Sequence, residues 1–248
     1  MLLLRSLIFQ FCFFGSAVVA GFLVLLAGPF GYPARFKVCI GWGRFMLWAG
    51  KAVCDIEYVF EGTENIPEEA SVVLIKHSSV FETYAQLVIF PPQTWVLKRE
   101  LHWIPLFGWG LALMKPIAIN RKAGHRAVTQ VIQQGKERLA EGIWISVFPE
   151  GTRMPPGETR KYGVSGAALA VAAGCKIVPV AHNAGDFWPR RSFMKRPGLV
   201  RFCIGPPIDP AGRPPKDVNL EVQDWIETKM LEISSVYKAR AAKSDVEV

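Results

Sequence analysis

Val72-Val73-Leu74-Ile75-Lys76-His77-Ser78-Ser79-Val80-Phe81-Glu82 reads as a buried strand running straight into a polar turn. Four apolar residues in succession, two of them valine and one isoleucine, fit a strand covered on both faces, as in a parallel sheet. A histidine and a carboxylate follow at the carboxyl end, which is where α/β sheets carry their functional loops.

Similar short β-rich runs recur along the chain at Thr94 to Leu97, Ile117 to Ile119, Ile143 to Phe148, Ile177 to Ala181 and Val200 to Ile204. Helical patterns lie between several of them. His125 to Ala140 carries Val128, Val131, Ile132 and Leu139 on one side. Gly166 to Ala173 is rich in small residues, and Asp217 to Tyr237 repeats Val222, Trp225, Ile226, Met230 and Ile233 at near-helical intervals. This alternation predicts an α/β domain over residues 57–248, with a central mixed, largely parallel sheet flanked by helices. No internal repeat or long linker divides it, and the stretch from Pro206 to Pro215 reads as a surface connection.

Residues 1–56 differ in kind. No charged residue occurs from Leu7 through Pro33, and Leu7 to Leu26 is long enough to cross about 30 Å of hydrocarbon as a helix. The apolar run continues past the small residues Ala17 and Ala20, unlike a cleaved signal sequence. After Gly28, Pro29, Gly31 and Pro33, a second helix is expected from about Phe36 to Cys54. Its Lys37, Arg44 and Lys51 fall on one stripe, suited to lipid phosphates, with Phe45 and Trp48 for the headgroup boundary. Arg5 is the only charge before the apolar run and Arg35, Lys37, Arg44 and Lys51 follow it. A spanning helix would therefore keep the α/β domain on the cytoplasmic side of an inner membrane. A hairpin lying in one leaflet is the alternative.

The 248 residues are 50% hydrophobic and 20% charged, with a net charge of +8, a pI near 9.4 and a mean hydropathy of +0.21. Disordered, collagen-like and disulfide-scaffold classes do not fit these values. The five cysteines lack zinc or Cys-x-x-Cys spacing and read as reduced thiols. No metal site is expected, and no nucleic-acid-binding signature accompanies the basic charge.

Four constellations can carry chemistry. His77 and Glu82 lie five residues apart, a spacing that needs a loop-to-helix turn to bring them together. Glu82 would then hold one imidazole nitrogen and leave the other as a base. Ser79-x-x-Glu82 is also a capping box, which explains both residues without catalysis. Phe148-Pro149-Glu150-Gly151-Thr152-Arg153 offers a tight loop with a carboxylate beside a guanidinium. Ile117 to Lys122 is a strand ending in Arg121 and Lys122. Ile177 to Gly185 runs from an apolar strand into His182, which reads as structural because nothing nearby in sequence partners it.

In this order the four blocks resemble the 1-acylglycerol-3-phosphate acyltransferase family, whose signature is His-x4-Asp, a Phe-Pro-Glu-Gly-Thr-Arg loop, an arginine-bearing strand and a later Val-Pro-Val block. The resemblance covers about Val72 to Gly185 and includes Lys98 to Gly108, which is similar to that family's Lys-x-Glu-Leu segment and Ile-Pro-x-Phe-Gly turn. Glu82 stands where the family has aspartate. The resemblance implies transfer of an acyl group from acyl-CoA or acyl carrier protein to lysophosphatidate, without a further cofactor. His77 would be the base and Glu82 its partner, while Glu150, Gly151, Thr152 and Arg153, with Arg121 and Lys98, would hold the acceptor. Other readings are another lysolipid acceptor such as a lyso-ornithine lipid, a serine hydrolase using Ser78 or Ser79, and a non-enzymatic basic membrane adaptor. The chain lacks a Gly-x-Ser-x-Gly elbow.

Overall fold

The structure, a computed structural model, describes residues 1–104, 107–120 and 124–244. Helices α1 (Leu2–Leu26) and α2 (Gly31–Cys54) form an antiparallel pair. The side-chain partners fix their direction: Trp42 Nε1 donates to Ser16 Oγ at 3.0 Å, and Arg5 at the start of α1 pairs with Asp55 beyond the end of α2. The α/β fold follows as β1 (Ile56–Glu61), β2 (Val72–Ile75), α3 (Phe81–Ile89), β3 (Gln93–Lys98), α4 (Phe107–Leu113), β4 (Ile117–Ile119), α5 (His125–Ala140), β5 (Trp144–Val147), α6 (Ser165–Ala173), β6 (Ile177–His182), α7 (Ala184–Phe187), β7 (Gly198–Ile204), α8 (Pro215–Ile233) and α9 (Ser235–Ser244).

The seven strands form one sheet in the order β1-β7-β6-β2-β5-β3-β4. Among the described strands only β6 and β7 pair antiparallel, and the other pairs are parallel. The largely parallel character follows from helical crossovers between strands, which also bury both faces. All four residues of β2 and all four of β5 are buried accordingly.

Every expected strand is present, and β1 is an additional one. It is an edge strand with Glu57, Tyr58 and Val59 exposed, so its apolar signal is dilute. The expected last helix is two helices. The chain breaks at Ser234, whose Oγ donates to the Asp186 carboxylate at 2.8 Å and accepts from the Tyr237 N–H at 3.2 Å, capping α9.

Residues 1–56 are packed into the same core as the sheet. Phe9, Val24, Phe36 and Met46 share one buried cluster with Val73, Ile75, Phe81 and Tyr84. The expected division at 56/57 therefore marks a change from helix to sheet and not a break in packing. Gly43 allows the close approach of α2 to α3: a Cβ there would lie 2.8 Å from the Tyr84 carbonyl oxygen. Helix α1 also touches the α/β fold toward both ends, with Ser6 Oγ accepting from Lys195 N–H at 3.0 Å and Gly21 backing onto Gly110 of α4. Its outer surface is apolar and exposed, including Leu4, Phe11, Phe14, Val18 and Phe22. Its 25 residues are long and apolar enough to cross a membrane, and this surface makes the chain membrane-associated.

Lys195 fastens this helix to the rest. Its side chain is fully buried, and Nζ donates to Gln10 Oε1 at 2.6 Å and to the Phe193 carbonyl at 2.8 Å. The rings of Trp188, Phe193 and Phe9 surround the ammonium, with centroids 4.8, 4.9 and 5.7 Å away. Burial pulls its pKa down.

Candidate active site

Sheet order explains why sequence-distant blocks meet. Along the carboxyl edge, parallel neighbours β2, β5, β3 and β4 end in turn at Ile75, Val147, Lys98 and Ile119, with His77 and Phe148 just beyond their strands and β6, on the other side of β2, ending at His182. The sheet thus delivers His77, Lys98 and the Phe148–Arg153 loop to one rim.

His77 leaves β2 and α3 begins four residues later at Phe81. Its Nδ1 lies 2.8 Å from Glu82 Oε1. The same oxygen accepts the N–H groups of Ser78 at 3.1 Å and Ser79 at 3.0 Å, while Ser79 Oγ accepts from the Phe81 N–H. The capping box and the histidine-carboxylate pair are therefore one arrangement: the carboxylate that closes the start of α3 is also the one that orients the imidazole. Full burial alone would raise the Glu82 pKa, but His182 and His77 and the hydrogen bonds outweigh it and hold the carboxyl below the usual range. The Phe148 ring stacks on His77, centroids 4.0 Å apart and 16° from parallel.

His182 is fully buried, and desolvation lowers its pKa against the opposing pull of the Glu82 charge. Its Nε2 donates to the Lys76 carbonyl at 2.7 Å and its Nδ1 accepts from the Ala184 N–H at 3.3 Å. Its Nε2 partner lies just beyond β2, 106 residues away, out of reach of the local sequence.

The Phe148–Arg153 loop turns back at Gly151, whose φ of +69° favours glycine; its N–H donates to the Phe148 carbonyl at 2.9 Å. Gly151, Thr152 and Arg153 line a cavity of about 1030 Å³ together with His77 and Lys98. Its apolar lining includes a wall from α1, through Phe13, Phe14, Ala17, Ala20 and Val24, beside residues of α2, α3, β3 and α4 such as Trp42, Leu87, Trp95 and Leu111. Lys98 is half-exposed at the end of β3. Arg121 lies outside the described residues.

Glu150 departs from expectation. Its carboxylate is buried away from the cavity, 3.1 Å from Lys76 Nζ, and accepts the His77 N–H at 3.2 Å. It braces the loop against the end of β2. Burial raises its pKa, with the Lys76 charge opposing. Lys76, absent from the expected site, is itself fully buried and donates also to Glu227 Oε1 of α8 at 2.7 Å. A lysine at the end of an apolar strand is the signal that sequence offered; its second partner, 151 residues away, was beyond reach.

Ser78 and Ser79 are buried, Ser79 is used in capping, and neither has the exposed elbow of a serine nucleophile. Among the described residues no cluster of potential metal ligands occurs.

A family model described as acyltransferase matches residues 57–183. A 1-acyl-sn-glycerol-3-phosphate acyltransferase from Pseudomonas aeruginosa is 41% identical over 238 residues, covering 94% of this chain and 93% of that protein. The human 1-acyl-sn-glycerol-3-phosphate acyltransferase alpha is 28% identical over 178 residues, covering 71% of this chain and 63% of its own length. In fold, the chain is similar to the crystal structure of the 1-acyl-sn-glycerophosphate acyltransferase PlsC from Thermotoga maritima, with a TM-score of 0.79 at 24% identity, covering 93% of this chain and 95% of that one. The chain belongs to the acyltransferase family and, within it, to the 1-acyl-sn-glycerol-3-phosphate acyltransferases. Membership in an enzyme family replaces the adaptor reading.

Proposed function

We propose that the chain transfers a fatty acyl group from a thioester of coenzyme A or acyl carrier protein to the sn-2 hydroxyl of lysophosphatidate, giving phosphatidate. The observation that carries this reading is the 2.8 Å contact between His77 Nδ1 and Glu82 Oε1, on a ring that lines an apolar cavity beside Arg153. With Nδ1–H held by the carboxylate, Nε2 takes the proton of the acceptor hydroxyl. The oxygen attacks the thioester carbonyl, and the tetrahedral adduct expels the thiolate, which recovers the proton from Nε2. Because the thioester is already activated, alignment and proton transfer are the main demands on the protein.

Arg153 and Lys98 supply positive charge for the acceptor phosphate, with Arg121 assigned to the same task. Acyl chains suit the wall built by α1. The contacts of α1 with the α/β fold at both Ser6 and Gly21 favour a helix lying along one leaflet over one crossing the bilayer, with the catalytic rim on the cytoplasmic face.

The test is mass-spectrometric product identification with the full chain in detergent micelles, using a panel of lysolipids and both thioester donors. Phosphatidate formed from lysophosphatidate, and lost in His77→Ala with fold and membrane attachment intact, is the expected result. Preference for a lyso-ornithine lipid, or normal turnover by His77→Ala, would overturn it.

A further inference from the structure

Arg191 sits in the loop between α7 and β7. It is the third residue of a turn closed by the Ser192 N–H donating to the Pro189 carbonyl at 3.0 Å, and its φ is +61°. That backbone conformation suits glycine or asparagine, and a long side chain adopts it at a cost. The loop around it is held firmly. Trp188 Nε1 donates to the Ser192 carbonyl at 3.2 Å, Ser192 Oγ binds both ends of Met194, and Lys195 is caged beneath. Arg191 is thus fixed in an unfavourable conformation on a firm loop, and it lines the same cavity as His77, Arg153 and Lys98.

Its position in the topology is distinctive. Lys98 and Arg153 follow β3 and β5, on one side of β2 in the sheet, whereas Arg191 follows β6, on the other side. The cavity therefore receives positive charge from both flanks of His77. The two substrates of the proposed reaction each bring phosphate to the enzyme, one as the acceptor's monoester beside the reacting hydroxyl and one at the far end of the donor's phosphopantetheine arm. We infer that Arg191 is a phosphate-binding residue of this site, placed by its strained turn opposite Arg153 and Lys98. The inference rests on the acyl-transfer reading.

The full-length enzyme is assayed as wild type, Arg191→Gly, Arg191→Lys and Arg190→Ala, varying lysophosphatidate and thioester in turn. Glycine suits the turn, so Arg191→Gly removes the guanidinium without disturbing the loop, and its melting temperature should equal or exceed that of wild type. The expected result is a KM for one phosphate-bearing substrate raised about tenfold, the size of one charge-assisted contact. Arg191→Lys should regain part of the loss, and Arg190→Ala should match wild type. A raised acceptor KM assigns the phosphate to lysophosphatidate; a raised donor KM assigns it to the thioester. Unchanged KM for both, or an equal effect of Arg190→Ala, overturns the inference. Direct binding of lysophosphatidate and of phosphate-free monoacylglycerol is measured alongside. A wild type that binds lysophosphatidate without acylating it would defeat the reaction and still report whether Arg191 discriminates between the two.

Discussion

The Phe148 ring lies flat against His77 at 4.0 Å, so two adjacent parallel strands hold the imidazole between them: β2 supplies it and β5 supplies its stacking partner. Together with the Glu82 contact at Nδ1, this fixes both the plane of the ring and its rotation. Phe148→Leu keeps an apolar contact but loses the flat face. It should lower kcat by roughly 2- to 10-fold, as expected for losing an aromatic pair worth about 0.5–1.5 kcal/mol. Steady-state kinetics should find acceptor KM little changed; a selective rise in KM would assign Phe148 to binding.

Glu82→Gln keeps the shape but removes the charge that favours the imidazolium. Turnover should fall by roughly 10²- to 10⁴-fold in single-turnover assays. The same substitution tests linkage. The folded-state pKa of Glu82 is lowered, so its stabilising contribution is fully present above the unfolded carboxylate range and is lost as pH falls through the folded value. The stability gap between wild type and Glu82→Gln, measured by urea unfolding, should narrow on acidification from about pH 7 toward pH 3. Glu150, with its pKa raised, contributes the opposite slope to both proteins and cancels in the difference.

Lys76→Met should destabilise the fold by about 3–5 kcal/mol, because it leaves Glu150 and Glu227 without their shared cation. Adding Glu150→Gln should recover part of that loss. Urea midpoints of the single and double variants check this, and equal midpoints would show that the ion pair is not coupled.

Gly41 and Gly43 separate helix propensity from packing. A Cβ at Gly41 meets nothing within 4 Å, whereas one at Gly43 meets the Tyr84 carbonyl at 2.8 Å. Gly41→Ala should be neutral or stabilising by up to about 1 kcal/mol. Gly43→Ala should cost about 1–3 kcal/mol and reduce turnover, since it pushes on the helix that carries Glu82. Thermal unfolding and kcat of the two variants provide the comparison.

A strand with a continuous apolar run, such as β2, was legible because burial on both faces leaves a plain mark in sequence. Edge strand β1 was not, because only Ile56 of its six residues is buried and acidic residues interrupt its apolar ones. The His77-Glu82 pair was legible as a spacing, but its merger with the helix cap required the three-dimensional turn. The partner of Glu150 was not legible, because sequence shows a carboxylate beside an arginine and not the lysine one strand away that pairs with it. Arg191 left no signal, since its significance lies in a backbone angle and in which side of β2 the chain returns on. Likewise, Ser234 ended a helix whose apolar periodicity continues through Tyr237, because its partner Asp186 lies on α7.

The caged ammonium of Lys195 has a practical corollary for anyone hoping to trim the protein into a water-soluble fragment. Deleting the first helix would remove Gln10 and Phe9 from around a cation that has no carboxylate among its described partners, and would strip one hydrocarbon wall from the reaction chamber in the same stroke. The oily N-terminus is thus no detachable handle: catalysis and attachment stand or fall as one piece.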